Sequence, residues 1–124
     1  ILNLENFDKS LAEGLMLLTP FSADATDELT VNFVNTYKDE YGETPIQFAA
    51  DAYDCVYAIK YAAEKANITP DMSISDMCDA METAMTEIEF NGLTGDNIKF
   101  DADGEPDKAP KAVVIKDGAY VLAD

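Results

Sequence analysis

The chain has 124 residues, 48% of them apolar, so it can build one modest hydrophobic core. Acidic residues outnumber basic ones by 25 to 8, and the net charge of −17 disfavours nucleic acids and anionic membranes as partners. Histidine is absent, which removes the usual general base and the commonest metal ligand. No stretch approaches the roughly 20 apolar residues that a membrane span needs.

The first predicted element is a strand at residues 14–19, an apolar run closed by Pro20 and typical of a strand covered on both faces. The sequence before it has neither a starting Met nor a basic segment ahead of an apolar run, so we expect no signal peptide in this chain. A capping Asp or Thr then precedes apolar residues at helical spacing, and Gly42 follows them. This pattern predicts a first helix over about residues 26–41.

A second helix is predicted over about residues 45–66, because Thr44 to Gln47 form a capping box with Pro at the first helical position. It is apolar on most sides, so we expect neighbouring elements to pack closely around it. Phe48 lies in its first turn, where free N–H groups and an aromatic ring make a suitable wall for a small zwitterionic ligand. The alternative, which we favour from the spacing alone, is that Phe48 and Tyr53 fill the core.

A third helix is predicted over about residues 74–88, capped by Ser73 or Ser75. Its methionines recur at helical spacing, which fits either an adaptable binding groove or the core, and we favour the core. Cys55 and Cys78 could form a disulfide or a metal pair. We favour two buried small apolar residues, because the chain has no CxxC spacing and no histidine.

The last third of the chain predicts a strand at about 97–100 and a hairpin of strands at about 112–116 and 119–122, turned by Asp-Gly. The acidic segment 101–111 fails as a calcium loop, because Gly104 is its fourth residue and Pro106 its sixth. A solvated acidic turn is the better interpretation.

The chain carries no catalytic motif, so we expect neither an enzyme nor a metal or other cofactor.

Three consecutive segments together resemble a known family. They run from Ala12 to Phe21, from Phe33 to Pro45 and from Phe48 to Ala58, and the stretches 92–104 and 112–121 fit as well. Their order and spacing are similar to the C-terminal third of type I periplasmic binding proteins. The most similar branch is the leucine/isoleucine/valine-binding receptors of ABC transporters.

The resemblance implies a fragment of a two-lobed α/β fold in which an amino acid is held between the lobes. Residues 1–124 would form a single fragment, with 1–19 and 111–124 matching strands of the second lobe and 23–105 matching helices and a strand of the first lobe. In the family, an aromatic residue at the position of Phe48 faces the bound side chain. We take Phe48, Tyr53 and Asp51 as the candidate ligand-binding residues.

The implied function is that of a solute-binding component that captures a small amino acid of the branched-chain type and presents it to an ABC permease. Its location would be extracytoplasmic, in the periplasm or lipid-anchored at the surface of a bacterium. One alternative is the ligand-sensing domain of a receptor or regulator with the same fold. Another is an acidic module that binds no ligand and self-associates. We also expect this chain to form a homo-oligomer, because its apolar surfaces lack cover.

Overall fold

A computed structural model describes residues 5–123 and has the α/β composition that the sequence predicts. A short 3₁₀ turn at Lys9–Ala12 precedes the strand β1. The regular elements of the described residues are, in chain order, β1 Met16–Thr19, α1 Glu28–Tyr41, α2 Gln47–Lys65, α3 Ile74–Met85, β2 Lys111–Lys116 and β3 Ala119–Leu122. No helix within residues 5–123 combines the length and the apolar character that crossing a membrane requires.

The chain divides into two compact units. Unit 1 comprises Ile1–Ala49 and Ala109–Asp124, and unit 2 comprises Ala50–Lys108, so the boundary falls inside α2. The assignment of 1–19, 23–105 and 111–124 to the two lobes of a larger fold stays a prediction, and its residues 1–4 and 124 lie outside the described part.

Unit 1 contains a three-stranded antiparallel sheet in the order β1-β2-β3. Asp117 and Gly118 both have positive φ, at 51° and 72°, which confirms the predicted tight turn between β2 and β3. One face of the sheet is covered, because Ala12 and Ile115 are buried together with Phe7, Leu17 and Tyr120 packed against them.

The prediction that β1 is covered on both sides is wrong, because the other face of the sheet is exposed at β1. Met16 and Leu18 are 64% and 72% exposed, whereas Leu17 between them is half-buried. An apolar run predicts a strand but does not tell which of its faces another element covers, because side chains alternate between the two faces.

The first helix has the caps that its sequence predicts. Asp27 accepts a hydrogen bond from the N–H of Thr30 at 2.9 Å, and Gly42 ends α1 in the left-handed region at φ 73°. A row of aromatic rings then makes edge-to-face and tilted contacts, with neighbouring ring centroids 4.6–6.0 Å apart: Phe21, Phe33, Tyr37 and Tyr41. This row of rings anchors α1 within unit 1.

Unit 2 is built around one stripe of α2. Ala50, Asp54, Ala58 and Ala62 are buried at four-residue spacing, and the small alanines allow close approach. The main cluster of unit 2 consists of Ala58, Ala62, Ala84, Ile88, Phe90 and Ile98. Met81 and Met85 pack against it, which confirms the core interpretation of the methionine stripe for these two residues.

Two expectations about burial in unit 2 are wrong. The helix α2 is not packed on most sides, because Val56 and Ile59 are 65% and 56% exposed. Cys55 and Cys78 are free and exposed rather than buried. Helical spacing identifies which residues share a face of a helix, but composition alone does not identify the face that a neighbour covers.

The expected strand at 97–100 is present only as two isolated antiparallel bridges, Phe90 with Ile98 and Phe100 with Pro106. Asn97 has φ 53°, which interrupts the extended backbone before a ladder can form.

The acidic segment that follows is a turn. Oδ1 of Asp101 accepts hydrogen bonds from the N–H groups of Asp103 and Glu105 at 2.9 Å each, and all three residues are exposed. The solvated acidic turn is therefore confirmed.

Candidate functional site

The beginning of α2 is tied to the end of β1 within unit 1. The hydroxyl of Thr19 lies 2.8 Å from Oε1 of Gln47, the first residue of the helix. The neighbouring Phe48 is 74% exposed. The interpretation of Phe48 as a core residue is therefore wrong, and its ring is available to a molecule outside unit 1.

Asp51, the second candidate, lies in unit 2 and forms an ion pair with Lys108, whose Nζ is 3.0 Å from Oδ1. The two side chains are 29% and 21% exposed, so solvent screens the pair only in part. The pair joins the second turn of α2 to the end of unit 2. Asp51 is a half-buried carboxylate held in place by a cation.

Tyr53, the third candidate, is half-buried and lies against Tyr57, with ring centroids 4.8 Å apart. A hydrogen bond with the side chain of Tyr57, followed by burial, raises the pKa of Tyr53 to about 12. The nearby carboxylate of Asp54 acts in the same direction. Tyr53 is therefore a neutral hydroxyl at physiological pH, able to donate or accept a hydrogen bond.

All three candidates lie on the helix α2. Asp51 and Tyr53 are two residues apart on one helix, a spacing that turns side chains to different sides. The role of all three as ligand contacts stays a prediction.

Asp54 is the residue whose importance the sequence analysis missed. Its carboxylate is only 3% exposed, in the middle of the buried stripe of α2. One oxygen accepts the N–H of Leu93 at 2.8 Å, and the other accepts the N–H of Thr94 at 2.9 Å and its hydroxyl at 2.6 Å. These bonds compensate the removal of the charge from water.

Gly92 makes this arrangement possible. A Cβ atom at position 92 would lie 2.6 Å from Cγ and from both oxygens of Asp54, well inside contact distance. Glycine is required here by close approach, since its φ is not in the positive range. The signal in the sequence is an acidic residue at the centre of an alanine-rich stripe, followed later by Gly-Leu-Thr-Gly.

An open depression of about 590 Å³ in unit 2 is lined by Tyr61, Glu89, Phe90, Asn91 and Asn97. Two of its polar side chains already interact with other residues of the chain. Glu89 pairs with Lys99 at 3.0 Å, and Oδ1 of Asn91 accepts the N–H of Asn97 at 2.8 Å. The depression contains none of the candidate residues. Residues 5–123 also contain no group of three or more Cys, Asp or Glu arranged to hold a metal ion.

Comparison with known proteins gives one family and a consistent set of structures. The family described as periplasmic binding protein matches residues 3–119. No curated protein matches the chain.

Three solved structures are similar to the chain at 25–27% identity. A putative branched-chain amino acid ABC transporter from Rhodospirillum rubrum is 27% identical with a TM-score of 0.66, over 95% of this chain and 35% of its own. A leucine binding protein from Thermotoga maritima is 26% identical with a TM-score of 0.70, over 91% and 31%. An ABC transporter substrate-binding protein from Desulfitobacterium hafniense, in complex with Leu, is 25% identical with a TM-score of 0.74, over 92% and 32%.

A solute-binding protein from R. palustris in complex with benzoate is 18% identical with a TM-score of 0.71, and it supports the fold alone. The chain spans about a third of the length of the solved proteins that it matches.

Proposed function

The chain belongs to the periplasmic binding protein family, and on that premise we propose that it is part of a solute-binding protein for a small amino acid of the branched-chain type. The protein captures its solute outside the cytoplasm of a bacterium and presents it to an ABC permease. The family consists of transport receptors and not of enzymes, so the proposed activity is reversible binding. The observation that carries the proposal is the family match over residues 3–119.

The choice of an amino acid follows the similar structures. The relatives at 25–27% identity are described as a branched-chain amino acid transporter, a leucine binding protein and a complex with Leu. The relative with benzoate is less similar, at 18% identity. Aromatic acids are therefore the competing class of solute that a binding test has to include.

Within the chain, we assign Phe48 as the contact for the apolar side chain of the solute. Its ring is 74% exposed and lies in the first turn of α2, whose beginning is held by the bond between Thr19 and Gln47. A fixed helix start with an uncovered aromatic ring suits an aliphatic ligand, because covering the ring removes apolar surface from water. Asp51 and Tyr53 are assigned as polar contacts, for the ammonium group and for a hydrogen bond respectively.

Isothermal titration calorimetry with leucine, isoleucine, valine and benzoate tests the proposal on the complete polypeptide that carries these 124 residues. The substitution Phe48→Ala is expected to weaken leucine binding by about 1–3 kcal/mol, the free energy that one buried aromatic contact contributes. That loss corresponds to roughly 5- to 150-fold in Kd. Tyr41→Ala is the matched control, because Tyr41 is also an exposed aromatic residue, at 65%. Unchanged leucine affinity in Phe48→Ala would remove Phe48 from the site.

Asp51→Asn separates binding from stability. The ion pair with Lys108 is partly exposed, so its loss is expected to change the free energy of unfolding by less than about 1 kcal/mol. If Asp51 contacts the ammonium group of the solute, the same change weakens leucine binding by at least about tenfold. An intact affinity for leucine would leave Asp51 with a structural role only.

A further inference from the structure

Asn91 and Gly92 form the one Asn-Gly pair in the sequence, and they lie at the start of the loop that Asp54 holds. An asparagine followed by glycine is prone to lose its side-chain amide, because a residue without Cβ lets its backbone nitrogen approach the asparagine Cγ. The structure explains why glycine stands here, since a Cβ at position 92 would lie 2.6 Å from the Asp54 carboxylate. The close packing of Asp54 therefore requires a chemically labile pair.

The reaction of such a pair needs only water. The backbone nitrogen of Gly92 loses its proton and attacks Cγ of Asn91, and the bond from Cγ to the side-chain nitrogen breaks as ammonia leaves. The product is a succinimide ring, which water then opens. Cleavage of the new bond to Cγ gives Asp, whereas cleavage of the original peptide bond to the main-chain carbonyl carbon gives isoaspartate. The main chain of isoaspartate runs through Cβ and Cγ and is longer by the Cβ atom.

In the folded unit 2, both reacting groups are held by other hydrogen bonds. The N–H of Gly92 donates to the carbonyl of Gly95 at 2.9 Å, and Oδ1 of Asn91 accepts the N–H of Asn97 at 2.8 Å. Attack requires the nitrogen of Gly92 to give up its proton, and with it the bond to Gly95. It also requires the Asn91 amide to present its carbon to that nitrogen, which the bond to Asn97 opposes.

The backbone on either side of the pair is fixed as well. Phe90 and Ile98 exchange two hydrogen bonds, at 3.2 and 2.8 Å, before and after the loop. Within the loop, the N–H groups of Leu93 and Thr94 donate to the carboxylate of Asp54 at 2.8 and 2.9 Å. All of these groups belong to unit 2, so the bonds that restrain the pair depend on the folding of this unit.

We propose that Asn91-Gly92 is a deamidation site that the folded loop protects and that becomes reactive when unit 2 unfolds. The isoaspartate product does not restore the loop, because an additional main-chain atom before Gly92 displaces the N–H groups of Leu93 and Thr94 from the Asp54 carboxylate. A temporary unfolding of unit 2 thus becomes permanent in the copies that react. The proposal does not depend on the solute-binding function.

Peptide mapping by mass spectrometry after incubation at mildly alkaline pH, which favours loss of the amide proton, measures the reaction. The complete polypeptide that carries these 124 residues is compared with a free peptide of residues 88–98 in the same buffer. Asn91 is expected to react at least about tenfold faster in the peptide, because the folded loop has to open before the ring can close. Asn97 is the internal control, since the branched side chain of Ile98 hinders attack there. Equal rates at Asn91 in the peptide and the polypeptide would overturn the proposal, and so would a peptide in which Asn91 reacts no faster than Asn97.

Substitutions in the loop test whether the hydrogen bonds to Asp54 provide the protection. Asp54→Ala is expected to raise the rate at Asn91 in the polypeptide at least about tenfold, and Thr94→Val, which loses only the hydroxyl bond, is expected to raise it less. Asp96→Ala is the matched control, because Asp96 is an exposed acid in the same loop. An Asp54→Ala chain that unfolds is expected to reach the rate of the free peptide. The rate of the unaltered polypeptide in Asp54→Ala would therefore contradict the proposal whether or not the variant folds.

Urea unfolding of the purified isoaspartate form tests the consequence of the reaction. This form is expected to unfold at a lower urea concentration than the unaltered polypeptide, because its loop no longer matches Asp54. Asn91→Asp is the control, since it adds the same charge, keeps the length of the main chain and retains an oxygen that can accept the N–H of Asn97. Equal midpoints for the isoaspartate form and Asn91→Asp would overturn the claim that the reaction makes unfolding permanent.

Discussion

The buried carboxylate of Asp54 accepts three hydrogen bonds in unit 2, and Asp54→Ala tests how much they stabilise it. The change leaves three buried donors without their acceptor, namely the N–H groups of Leu93 and Thr94 and the hydroxyl of Thr94. An unsatisfied buried donor costs about 1–3 kcal/mol. Water that enters the space left by the carboxylate recovers part of this, so we expect a net loss of about 3–5 kcal/mol.

That loss is large compared with the expected free energy of unfolding of unit 2. Unit 2, Ala50–Lys108, has about 60 residues, and domains of this size are typically stable by about 3–9 kcal/mol. Asp54→Ala is therefore expected to bring unit 2 close to its unfolding midpoint in water. Urea unfolding followed by circular dichroism, with hydrogen exchange at Leu93 and Thr94, measures the effect. Asp96→Ala is the control, because Asp96 is an exposed acid in the same loop.

A double-mutant cycle with Gly92 sharpens the test. Gly92→Ala alone forces its Cβ to within 2.6 Å of the Asp54 carboxylate unless one of them moves, so we expect it to destabilise by about 1–3 kcal/mol. In the Asp54→Ala background the obstacle is gone, and the same change is expected to be nearly neutral. Additive losses, or a loss below about 1 kcal/mol for Asp54→Ala, would refute the reasoning.

Two further predictions concern titrating side chains. Burial raises the pKa of Asp27, but its hydrogen bonds with Thr30 lower it more, so the net pKa lies below the ordinary 3.8. The Asp27 carboxylate therefore stabilises the folded state fully above pH 3.8, and this contribution is lost as the pH falls through the lower folded pKa. Asp27→Ala is expected to lower the free energy of unfolding by about 1 kcal/mol in urea unfolding at neutral pH. Asp27→Asn is expected to keep most of the cap without the pH dependence. For Tyr53, the raised pKa of about 12 favours the folded state below pH 10, and this contribution is lost as pH rises from 10 to 12. Tyr57→Phe removes the largest cause and is expected to lower the pKa of Tyr53 in a spectrophotometric titration; an unchanged value would contradict that assignment.

The regular elements could be predicted because their ends carry strong local signals. Asp27, Gly42, Ser73 and the Asp117-Gly118 turn act through bonds and dihedral angles within a few residues of themselves. The missing strand at 97–100 shows the limit of this approach, since alternating Ile98 and Phe100 form isolated bridges once Asn97 turns the backbone.

Burial could not be predicted in the same way. The exposure of Met16, Leu18, Val56 and Cys55 depends on which neighbours are present, and no local pattern encodes that. The partners of Asp54 lie about 40 residues further along the chain, at Leu93 and Thr94, so only the tertiary structure reveals them. Spacing in α2 alone favours a core role for Phe48, and only the family resemblance makes it a candidate ligand contact. Its exposure of 74% rules out the core role.

The central claim is that this chain is part of a receptor for a branched-chain type of amino acid, and a leucine titration of the complete polypeptide tests it most directly. We predict saturable binding of one leucine per polypeptide, displaced by isoleucine and valine but not by benzoate. Saturable binding of benzoate with no heat from any of the three amino acids would contradict the claim.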